Sequence, residues 1–121
     1  MKMNLKWKND TMQEPVPFMF HIGIGQIYKG DSVVTDSIIG YVQNYFTLRF
    51  PLKIEFHDNW NTNIAIIMDI GKWFDSESIF NFSDYPKGMM QNQEAMHKAC
   101  LNGRTAFSVS VSYYPVWGGN Q

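Results

Sequence analysis

The sequence predicts a mainly β protein: an antiparallel β-sandwich with one short helix near residues 91–101, built as a single domain over residues 1–121. Three observations carry this. Apolar and polar residues alternate with period two at 1–8, 18–24, 45–56 and 107–113, the spacing of half-buried strands. Aromatics make up 16% of the chain and charged residues only 17%, a balance that suits pleated, half-covered surfaces better than amphipathic helices. Only one stretch, at 91–101, has helical spacing, with Met96, Ala99 and Cys100 at i, i+3 and i+4 and therefore directed at the core. An open sheet covered by that helix is the alternative layering.

The elements follow in order. Met1, Met3, Leu5 and Trp7 alternate with Lys2, Asn4, Lys6 and Lys8, an amphipathic strand. Pro15 and Pro17 close a loop, since proline cannot donate to a ladder. In FMFHIGI the residues Phe18, Phe20, Ile22 and Ile24 fall on one face, with Met19, His21 and Gly23 on the other. Residues 28–40 are polar and turn-rich, with Lys29-Gly30-Asp31-Ser32 as a turn and Val33-Val34 as a short strand. A strand is expected from Gly40 to Phe50, continuing past Pro51 to His57. The turn DNWNT then suggests a hairpin into residues 63–69.

Ile64, Ala65, Ile66, Ile67 and Met68 have the length and branching of a buried strand. Asp69 ends the run and caps the turn through Lys72. Trp73 and Phe74 are expected to drop back onto the core. After the turn-rich residues Asp84, Pro86 and Gly88 comes the helix, closed by Asn102-Gly103, and strand alternation resumes at Phe107. The tail from Val116 is expected to fray.

A net charge of −1 with scattered Lys and Arg leaves no basic face for nucleic acid. No run of 18 apolar residues spans a membrane, and MKMNLKWKND lacks the apolar core of a signal peptide. The lone Cys100 has no second cysteine for a disulfide, so it reads as an inert thiol in the helix. Eight methionines serve as core filler, or one or two of them serve a soft metal such as Cu(I).

Catalytic templates are missing: no G-x-S-x-G, no C-x-x-C, no phosphate loop and no H-E-x-x-H occurs, so the expectation is a protein that is not an enzyme. His57 sits beside a turn and His97 on an exposed helical position. His21, mid-strand beside Met19, is either an ordinary hydrogen-bonded residue or a metal ligand. Trp7, Trp60, Trp73 and Trp117, with Tyr41, Tyr45, Tyr113 and Tyr114, supply material for a sugar-stacking face or for core and rim.

Three segments, FMFHIG, DIGKWFD at 69–75 and NGRTAFSV at 102–109, together with GMMQNQEAMHKACLNG at 88–103, resemble MbnP-like (methanobactin-partner) copper-binding domains over roughly residues 17–111. The resemblance implies a β-sandwich in the bacterial periplasm or a secreted protein that handles copper, with copper as cofactor and a copper ion or a redox partner protein as its partner. A chain complete as encoded is instead expected in the cytoplasm. By position the resemblance implies His21 as the copper ligand, Met89 or Met90 in place of the histidine that members carry near Lys87-Gly88, and Trp7 as a tryptophan at the metal. The other readings are a glycan-binding domain and a structural or interaction domain without metal, using an exposed edge strand or an apolar patch.

Overall fold

The computed structural model describes residues 1–30, 37–86, 88–89 and 92–117; the expected Val33-Val34 strand, Met90 and the end of the tail lie outside them. The protein is mainly β with one helix, and its strands pair antiparallel as three two-stranded ladders. Strand β1 (Lys2–Trp7) pairs with β2 (Val16–His21), with Met3 opposite Phe20 and Leu5 opposite Phe18. Their shared inner face follows from the alternation: Met3, Leu5 and Trp7 are half-buried, while the lysines between them point to water. In the connecting loop the Asn9 carboxamide oxygen accepts from the Thr11 backbone N–H at 3.1 Å and its hydroxyl at 2.9 Å, a local turn device of Asn.

The expected single strand through Ile24 breaks at Ile22-Gly23. Phe18, Phe20 and Ile22 are buried as predicted, but Ile24 is 59% exposed and begins a new strand. Strand β3 (Ile24–Tyr28) pairs with β4 (Ile38–Gln43), with a register shift between Ile27 and Tyr28. Gly25 lies so close to the Gln93 amide that no Cβ fits there without displacing it. Glycine at 25 thus lets β3 pass close to the helix.

Two further expectations are corrected. The strand foreseen over residues 40–57 ends at Gln43, and residues 44–58 join no ladder. Asn44 turns inward instead, its Nδ2 donating to Gln93 Oε1 at 3.1 Å and to Met96 Sδ at 3.2 Å, which draws the chain off the sheet and onto the helix. The hairpin between residues 52–57 and 63–69 does not form. Strand β5 (Trp60–Met68) pairs over its whole length with β6 (Phe107–Pro115), nearly forty residues further on. At its entry Asn59 takes φ 60°, and the Trp60 N–H donates to the His57 carbonyl.

Helix α1 (Gln93–Gly103) begins where the Asn92 side chain accepts from the Ala95 N–H at 3.0 Å, an N-cap with Glu94 in the first turn. It runs through the Asn102-Gly103 pair expected to stop it. Ala95, Met96 and Ala99 are buried and Cys100 is half-buried, as the spacing predicted. The turn after β5 is a short 3-10 helix (Gly71–Trp73), capped by Asp69 Oδ1 accepting from the Gly71 N–H at 2.9 Å.

One core joins β2, α1 and residues 73–89. Trp73 is 2% exposed and Phe74 half-buried. Phe20 stands edge-on to both, with ring centroids at 5.5 and 5.4 Å. Each fully buried large side chain of this kind contributes roughly 1.5–3 kcal/mol. No helix among the described residues is long and apolar enough to cross a membrane.

Candidate functional site

The metal candidates do not converge. In the β1–β2 register His21 pairs with Lys2 and Trp7 with Val16, at opposite ends of the ladder. Five residues of strand separate them by about 17 Å. They also occupy opposite faces: Trp7 is on the inner side, stacked on Phe82 at 5.6 Å, and His21 on the outer. Met89 is fully buried in the cluster that holds Phe18 and Phe20, so its thioether belongs to the core side of β2 rather than to the His21 side. Its backbone N–H donates to the Met19 carbonyl at 3.3 Å, after a Gly88 at φ 86°. Met90 lies outside the described residues.

His21 keeps one feature of a ligand. Its Nδ1 is buried and has no hydrogen-bond partner among the described residues, while the Cε1–Nε2 edge of the ring lies over Gly23. Buried polar atoms are nearly always paired, which marks this nitrogen out. Among the described residues no group of three or more His, Cys, Asp and Glu could hold a metal ion.

A cleft of about 450 Å³ opens beside the core, with Ile22, Gln43, Tyr45, Phe46, Trp73 and Phe107 in its walls. Of its polar lining, Asn44 is already bonded to Gln93 and Met96. The Trp73 indole N–H is buried without an oxygen acceptor among the described residues. The rings of Phe20 and Phe107 are T-shaped to it, and aromatic faces serve as weak acceptors. Burial pushes the Cys100 thiol up, against the lowering effect of Arg104, which leaves little thiolate at neutral pH. Hydrogen bonding with Tyr85 and then Glu94 raises Lys98. Neither group faces a nucleophile–base pair.

The largest departure from expectation is the β5–β6 ribbon. Residues 64–68 read as a buried strand, yet Ile64 is 49%, Ile66 74% and Ile67 50% exposed. The physical reason is that among the described residues β5 has one strand neighbour only, and residues 55 and 57 come against the ribbon at Tyr113, away from Ile64 and Ile66. One face carries Trp60, Thr62, Ile64, Ile66 and Met68, opposite Pro115, Tyr113, Val111, Val109 and Phe107. The other carries Asn61, Asn63, Ala65 and Ile67 opposite Tyr114, Ser112, Ser110 and Ser108. The first face is apolar apart from Thr62 and the Tyr113 hydroxyl. On the β6 side Phe107, Val109 and Val111 are half-buried, and Phe107 meets Trp73 at 5.8 Å, whereas the β5 side is open.

The ladder geometry also fixes the free edge. Asp69 N–H bonds to the Ala106 carbonyl and Val116 N–H to the Asn59 carbonyl, both at 2.8 Å, so the odd-numbered residues of β5 bond inward to β6. The backbone groups of Thr62, Ile64, Ile66 and Met68 therefore point outward and pair with no strand among the described residues. Neither strand carries a charged residue. The signal in the sequence was that absence: edges are ordinarily guarded by Lys, Glu or Pro.

No family model, curated protein or solved structure matches this chain.

Proposed function

We propose that the protein is a non-enzymatic interaction domain that docks a partner β surface on the apolar face and free edge of β5. The observation that carries this reading is the uncovered row Trp60, Ile64, Ile66 and Met68, between 38% and 74% exposed, on a strand without charge. Contiguous apolar surface of this kind marks interaction sites, and an open edge adds backbone hydrogen bonds that hold an incoming strand in register. Phe107, on the same face of the ribbon, packs against Trp73 and anchors that end of it to the core. The test is a benzophenone photo-crosslinker placed at Ile66, and separately at Ser110 on the opposite face, in cells that make the protein. The reading expects a discrete adduct from position 66 and none from 110. Equal yields from both positions contradict it.

Copper binding through His21, in the bacterial periplasm or outside the cell, is the second reading. Its support is the buried Nδ1 without a partner among the described residues. An imidazole nitrogen suits copper, but Trp7 stands apart from it at the other end of the ladder, so a water or a partner chain has to complete the site. Copper titration against a chelator, followed by metal analysis, tests it. Near-stoichiometric uptake that falls in His21→Ala supports the reading, and equal uptake by both proteins removes it.

A further inference from the structure

We infer that the partner of β5 is a second copy of this chain, paired antiparallel edge to edge about a two-fold axis at Ile64. This rests on the docking reading above and names its occupant. The resulting sheet has four strands in the order β6, β5, and the same two strands of the second copy reversed.

Self-complementarity is the first argument. Ile64 is the midpoint of Trp60–Met68. With the axis there, Ile64 meets its own copy, Ile66 lies opposite the partner's Thr62, and Trp60 opposite the partner's Met68. The outward backbone groups of Thr62, Ile64 and Ile66 then become the hydrogen-bonded pairs of the new ladder, while the Trp60 N–H stays with the His57 carbonyl. A charge-free strand has no electrostatic preference for a different partner and no like-charge penalty against itself.

Area is the second argument. The fractional exposures of Trp60, Ile64, Ile66, Met68 and Tyr113 leave roughly 500 Å² uncovered on one face, as much as the whole largest patch of a typical monomer. Edge pairing sets the two rows side by side as one continuous face and buries the edge backbone and the flanks of the facing side chains. The other ribbon is a poorer candidate. Strands β3 and β4 are shorter, their register shifts between Ile27 and Tyr28, and the Gln93 side chain lies against Gly25.

The test is sedimentation equilibrium of the full chain with a charge exchange at the axis. The wild type is expected at twice the chain mass with a dissociation constant at or below about 10 μM. Ile64→Lys and Ile64→Glu each place like charges directly opposite one another, and each is expected to sediment as a monomer, at least tenfold weaker in association. An equimolar mixture of the two variants is expected to restore the dimer. Ser110→Lys, on the opposite face of β6, is expected to remain dimeric. Ile64 is 49% exposed, and circular dichroism of each variant checks that the fold is retained. A monomeric wild type at about 100 μM, a dimer that survives both substitutions, or a mixture that stays monomeric overturns the pairing. A monomer whose crosslinker at Ile66 still captures another protein overturns the second copy and leaves the docking face standing. A monomer with no adduct removes both.

Discussion

The side-chain amide of Asn102 donates to the Trp73 carbonyl at 3.0 Å, tying the last turn of α1 to the turn that follows β5. The same amide donates to the Ser78 carbonyl at 2.8 Å, and its oxygen accepts from the Ser78 backbone N–H at 2.8 Å. Asn102 is fully buried, so each bond is made without competition from water. Removing the side chain strands a backbone donor and two carbonyls inside the protein. Asn102→Ala is expected to lower the unfolding free energy by about 2–4 kcal/mol in urea titration. A loss under about 1 kcal/mol means the amide is not the clasp described.

Gly103 sits one residue on, beneath the Trp73 benzo ring and Phe46. A Cβ there would lie 2.6 Å from Phe46 Cζ and Trp73 Cη2. In an exposed helix interior Gly→Ala stabilises by about 1 kcal/mol. Here the sign is expected to reverse, with Gly103→Ala destabilising by about 1–3 kcal/mol through overpacking. A rise in melting temperature contradicts the close approach.

Trp73 fills the centre of the aromatic cluster. Trp73→Ala is expected to cost about 3–5 kcal/mol. Trp73→Phe keeps the fold and shifts the emission to the red, since it leaves Trp117 87% and Trp60 47% exposed and Trp7 half-buried. If the emission maximum of Trp73→Phe matches the wild type, the indole is not buried.

Much of this clasp was legible in the sequence. The turn after Asp69 with Trp73 and Phe74, and the helical spacing of Met96, Ala99 and Cys100, placed the right residues on the core, because local caps and periodicity decide those positions. Asn102-Gly103 looked like a helix stop because the pair commonly is one. Its lateral use by Ser78 and Trp73 depends on contacts 24 and 29 residues away. The β5–β6 pairing was hidden for the same reason: nothing local distinguishes a partner at Phe107 from one at Leu52. Exposure of Ile64 and Ile66 was illegible because branching reports strand propensity, and burial depends on what lies above. His21, Trp7 and Met89 were grouped by motif likeness alone, and strand register separated Trp7 from His21.

Cys100 gives a prediction in pH. Burial raises its thiol above the ordinary value, so the folded state holds the proton more tightly than the unfolded state. Its contribution is full below the unfolded pKa of about 8.5 and is lost as pH rises through the folded value. Ellman's reagent at pH 8 is expected to label native protein slowly and denatured protein fully. Cys100→Ser is expected to flatten the fall in stability as pH rises above about 8.5. Equal labelling rates in the native and denatured states contradict the assignment.

Residue-resolved amide exchange on β5 tests the docking edge most directly, comparing wild type with Ile64→Lys. Ala65 and Ile67 bond inward to β6 and are expected to be protected in both proteins. Thr62, Ile66 and Met68 point outward and are expected to be protected in the wild-type assembly and to exchange freely in the variant. Equal protection of these three amides in both proteins contradicts pairing of this edge between copies of the chain.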